Sequence, residues 1–166
     1  MNQETIDLVQ QSWRNVTPIA PQAAAMFYDI LFTRDPELKP LFRGNMQQQG
    51  QKLMQMIDAA VGQLNNLDRL VPILQQLGQR HAAYGVMPAH YETVGAALLD
   101  TLARGLGDAF TEPVRTAWAS VYGTMAQVMT EAAHRQAEHA VPAEAHTRRD
   151  GQRADVAVVM ASSSAT

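Results

Sequence analysis

Apolar positions recur along this chain at intervals of three and four residues, and almost nowhere at intervals of two. That periodicity predicts helices over 3–16, 21–32, 46–64, 68–83, 88–105 and 111–138, a short helical turn over 36–42, and no strand or hairpin. The breaks fall where a helix has difficulty continuing, at Thr17-Pro18, Asp35-Pro36, Gly44 and Asn65-Asn66. Thr111-Glu112-Pro113 offers an N-cap with proline close behind, and Pro72 sits in the first turns of its helix, where it is tolerated. After Ala140 the character changes: Pro142, a charged run at Arg148, Arg149 and Asp150, and a Ser/Ala-rich end follow. We read 1–138 as one helical domain and 139–166 as a flexible tail.

Within the helices, a few polar residues fall on apolar stripes. Met46, Leu53, Ile57, Ala60 and Leu64 form one stripe, and Gln49 lies on it. Leu70, Leu74, Leu77, His81 and Tyr84 form another, with His81 near the end of its helix. Tyr28 stands among Ala24, Ala25, Leu31 and Phe32 on a helix apolar nearly all round, and Tyr91 shares a face with Val94, Leu98 and Leu102. Each has a plain explanation. Gln49 can be a boundary residue reaching water, His81 a core histidine meeting the helix's negative end, and the tyrosines ordinary packing. A neutral histidine can equally hold a haem iron from one side. Periodicity alone leaves a four-helix bundle, a solenoid and a globin open.

Composition removes some chemistry. Hydrophobic residues make up 46% of the chain, so a packed interior is expected. There is no cysteine, which excludes disulfides, thiolate metal sites and a cysteine nucleophile. With 13 basic and 16 acidic residues the formal net charge is −3, and no nucleic-acid partner is expected. Glu4 and Asp7 interrupt any secretory head, and no apolar run approaches the ~20 residues that span a bilayer. The expectation is a soluble, cytoplasmic protein without a membrane partner.

Several separated segments resemble, in order, the flavohaemoglobin-type bacterial globins, and the likeness is especially close to a single-domain member. Phe27-Tyr28, Asp35-Pro36-Glu37-Leu38 and Pro40-Leu41-Phe42 match the start of that family, and Gln49 with Leu53 match its distal helix. Leu77-Gly78-Gln79-Arg80-His81, Tyr84-Gly85-Val86 and His90-Tyr91 continue the match, and Trp118 with Tyr122-Gly123 place the last helix. The likeness covers about 3–132.

The resemblance implies an all-α globin fold, a three-over-three helical sandwich with haem b in its crevice. It makes His81 the proximal iron ligand, stacks Phe42 on the porphyrin, and lines the distal pocket with Tyr28, Gln49 and Leu53. Ile57, Val94 and Leu98 become apolar haem contacts, Tyr91 a hydrogen-bonding residue on the proximal side, and Arg80 a propionate partner. Two departures stand out. The family's proximal glutamate falls at Ala133 here, with Glu131 on another face, which weakens the electron push of the histidine. No flavin or nicotinamide domain follows. The implied function is therefore tight, reversible O2 binding, with CO and NO as further ligands. The alternative is NO dioxygenation, with Tyr28 and Gln49 as its catalytic residues and a separate reductase. A gas sensor is less favoured because no output domain is attached.

Overall fold

The computed structural model describes residues 1–42 and 44–139, so from 140 onward the expected tail lies outside the described residues. Six helices form: α1 (Gln3–Val16), α2 (Ala20–Arg34), α3 (Met46–Gly62), α4 (Leu67–Ala83), α5 (Pro88–Leu106) and α6 (Glu112–His139). Short 3₁₀ turns at Thr17–Ile19, Pro36–Leu41 and Gly107–Ala109 join them, and the described residues hold no strand.

Local chemistry sets these boundaries. The Asn2 side chain accepts from the Thr5 N–H at 2.8 Å and opens α1. Asn45 accepts from the N–H groups of Gln47 and Gln48 at 2.9 and 3.2 Å and opens α3. Such caps contribute about 1 kcal/mol each. α2 runs two residues past the predicted end, because its carbonyls keep partners until the Asp35 N–H bonds Leu31 O. α3 closes two residues early through the Gln63 N–H, yet Leu64 stays fully buried in the turn that follows.

The helices sort into two layers, with α1, α3 and α4 on one side and α2, α5 and α6 on the other. α1 and α4 rest on α6, and α2 bridges α3 to α5. Trp13 and Trp118 meet in the middle with ring centroids 6.0 Å apart. The Trp118 indole N–H donates to Ser12 Oγ at 2.8 Å, and the Ser12 hydroxyl donates to Leu8 O at 2.7 Å, so the buried polar atoms of these two side chains are satisfied. This is the three-over-three arrangement expected from the sequence. No helix among the described residues is long and apolar enough to cross a membrane.

Three close approaches among the described residues depend on glycine, and one of them sets Gly95 of α5 against the Tyr122 ring of α6. A methyl group at Gly78 would overlap the Met129 carbonyl, so α4 lies backbone to backbone on α6 there. A methyl group at Gly50 would stand 2.9 Å from the Ala24 methyl, so α2 and α3 also approach closely there, through a side chain.

Candidate functional site

The contact at Gly78 sets the position of His81, two residues short of the end of α4. Leu70, Leu74 and Leu77 bury the same stripe, and His81 itself is only 2% exposed. Its Nδ1–H donates to the Leu77 carbonyl at 2.7 Å. In the neutral ring that bond keeps the proton on Nδ1 and leaves the lone pair on Nε2. Burial pushes the imidazole down to about pKa 4, while the Leu77 bond pulls the other way. At neutral pH His81 is therefore an uncharged ring with a free lone pair.

α5 supplies the neighbour. Tyr91 stacks on His81 with ring centroids 6.2 Å apart and planes at 28°. Its backbone carbonyl accepts from the Tyr122 hydroxyl at 2.7 Å, which ties α5 to α6. Burial pushes the Tyr91 hydroxyl up to about 12 and the Tyr122 hydroxyl higher still. The hydrogen bond expected of Tyr91 on the proximal side is a ring stack here, because His81 Nδ1 is already committed to Leu77. Glu131 is exposed and accepts from Gln127 Nε2 at 3.1 Å, so it contributes no carboxylate to this cluster.

His81 borders a deep cavity between the two layers. It forms a slot of about 140 Å³, and its lining is almost wholly carbon. A mostly apolar molecule suits such a lining, and a polar one does not. Among the described residues no three His, Cys, Asp or Glu side chains gather to hold a metal ion. A metal here would need most of its ligands from elsewhere, as an iron within a flat macrocycle does.

Seven of the residues singled out from sequence line this slot together: Phe42, Leu53, Ile57, His81, Tyr91, Val94 and Leu98. Three do not. Tyr28 is buried one ring further out, packed against Phe27, Phe32 and Phe42. Gln49 is 4% exposed and is not among the residues that line the slot. Arg80 is exposed on α4 and does not reach the slot. Sequence reasoning missed the whole wall contributed by α6, namely Trp118, Tyr122, Met125, Ala126 and Met129. Their spacing of three and four was a visible signal. It also missed His90, half-buried at the slot, whose Nδ1 accepts from the Met87 N–H at 2.9 Å.

Comparison with known proteins agrees with this geometry. A globin family model matches residues 25–129. A flavohemoprotein of Vibrio cholerae serotype O1 is 31% identical over 134 residues, covering 79% of this chain and 34% of that protein. The chain thus spans about a third of the length of that relative. An engineered carbene transferase from Rhodothermus marinus, described as a nitric oxide dioxygenase, superposes with a TM-score of 0.73 at 26% identity. That match covers 84% of this chain and 97% of the other. A hexacoordinated haem protein from an anhydrobiotic tardigrade shares the fold, with a TM-score of 0.73 at 19% identity over 81% and 96% of the two chains.

Proposed function

The chain belongs to the globin family, and from that premise we propose that it holds haem b through His81 and binds O2 reversibly, with CO and NO as competing ligands. One observation carries the reading: a buried, uncharged histidine with its lone pair on Nε2 borders an apolar slot. The absence of cysteine favours the b type, since thioether attachment needs thiols.

When bound, the haem would supply an iron able to take up a diatomic gas. The side chains do the rest. His81 holds the iron through Nε2, and Leu77 orients the ring by accepting from Nδ1. A carbonyl raises the basicity of the imidazole less than a carboxylate would, and Ala133 has no acid to offer. That favours holding a gas over breaking its bond. Phe42, Leu53, Ile57, Val94 and Leu98 line the slot and would exclude water from the bound ring. Arg80 is assigned to a propionate at the rim. Tyr28 brings a hydroxyl with no hydrogen-bond partner among the described residues. Together with the Gln49 amide it would donate to a bound gas.

NO dioxygenation is the second reading, favoured by the likeness to the Vibrio flavohemoprotein and the Rhodothermus protein. Repeated turnover needs electrons from a partner reductase. Oxygen titration and steady NO consumption with a cell-extract reductase separate the two. Reversible O2 binding with a single stoichiometric burst of NO loss is the expected result. Sustained NO removal would shift the assignment to dioxygenation, and no gas adduct at all would overturn both.

A further inference from the structure

A haem seated in the slot plugs the mouth through which it came, so a gas needs another way to the far face of the ring. The wall is thin in one place. Where α1, α2 and α3 meet, a second hollow opens to solvent, with about 1270 Å³ accessible to the centre of a water molecule. Ala25, Tyr28, Phe32, Met46, Gly50 and Gln51 are among its walls. On its inner side the Tyr28 ring packs edge-on against Phe27 and Phe42, at centroid distances of 5.3 and 5.5 Å. Both of those rings line the slot. A layer of packed rings, Tyr28 on the outside and Phe27 with Phe42 on the inside, therefore separates the open groove from the cofactor slot.

That layer can open only through its side chains. α2 and α3 already touch at Ala24 and Gly50, and Tyr28 Cε2 lies 3.9 Å from where a Gly50 methyl would stand. The helices are pinned together, while the groove outside has room for a ring. No hydrogen bond among the described residues fastens the Tyr28 hydroxyl.

We infer that the groove between α2 and α3 is the way in for diatomic gases and that Tyr28 is its gate. The ring swings into the groove to admit the gas and returns with its hydroxyl beside it. This rests on the haem function proposed above, and the test keeps the two apart. Flash photolysis of the CO adduct of the haem-loaded full chain is compared among wild type, Ala25→Trp and Gln51→Trp, with Ser120→Trp on α6 as control. Positions 25, 51 and 120 are exposed, so the added indole does not enter the core. Either groove plug should slow bimolecular CO association by at least about fivefold and raise the fraction rebinding before escape. The Soret band should stay unchanged, and Ser120→Trp should behave as wild type. Wild-type association rates in both groove plugs would overturn the gate. A wild-type chain that takes up no haem would overturn the function itself.

Discussion

The two faces of the slot are built differently. On the His81 side, three ties run to backbone: Nδ1 to the Leu77 carbonyl, the Tyr122 hydroxyl to the Tyr91 carbonyl, and α4 to α6 at Gly78. On the Tyr28 side the contacts are between rings, with Phe27, Tyr28, Phe32 and Phe42 packed at 5.3 to 5.9 Å. Ring contacts are loose in direction, whereas hydrogen bonds to backbone set an orientation. The first face holds His81 in one orientation. The second, in the inference above, moves when a gas arrives.

That contrast can be tested by loading each face. The largest effect is expected from acid acting on the His81 side. In the cofactor-free chain, burial lowers His81 from 6.5 to about 4. The unfolded chain therefore takes up the proton first. Its contribution to stability is complete above pH 6.5 and is lost as the pH falls to about 4, amounting to about 3 kcal/mol. Urea unfolding at a series of pH values, with His81→Leu alongside, should show a flatter acid limb in the variant. An identical limb would mean that His81 is not held neutral.

Next comes the helix contact that aims the histidine. Gly78→Ala puts a methyl group into the Met129 carbonyl and should destabilise the fold by about 2 kcal/mol, read from the urea midpoint. Gly62→Ala, where nothing lies within 4 Å, serves as the comparison and should not destabilise. Equal effects at the two positions would remove the claim that α4 is seated on α6 by contact.

On the opposite face, Tyr28→Phe removes only a hydroxyl. Losing one donor of about 1–1.5 kcal/mol should release O2 roughly tenfold faster in stopped-flow exchange, with folding stability nearly unchanged. An unchanged release rate would take Tyr28 out of ligand binding. The smallest effect belongs away from both faces. Arg34 pairs with Asp100 across α2 and α5, and both side chains are well exposed. Arg34→Ala should cost less than about 1 kcal/mol, and less again in salt.

Much of this architecture was readable from residue types, because its boundaries are made by residues with strong local preferences. Proline and asparagine end or open most helices, and α1 has the bounds that periodicity predicts. Slot residues on α3 and α5 were readable as stripes for the same reason. The wall from α6 was not, since Trp118, Tyr122 and Met129 form a stripe that does not say which neighbour it meets. Gly78 is similar: in sequence it is a weak helix residue, and only the approach of Met129 explains it. Tyr28 and Gln49 were recognisable as buried polar residues, but their place outside the slot lining depends on how α2 and α3 cross at Gly50.

The central claim is that His81 holds a haem in the slot, and an absorption spectrum tests it most directly. The full chain is mixed with hemin, reduced with dithionite and exposed to CO, as wild type and as His81→Ala. The account predicts a histidine-ligated Soret band and a stable CO adduct in the wild type. Both should be lost in the variant and restored by free imidazole. A wild-type chain that takes up no haem, or a variant whose spectrum matches the wild type, would contradict it.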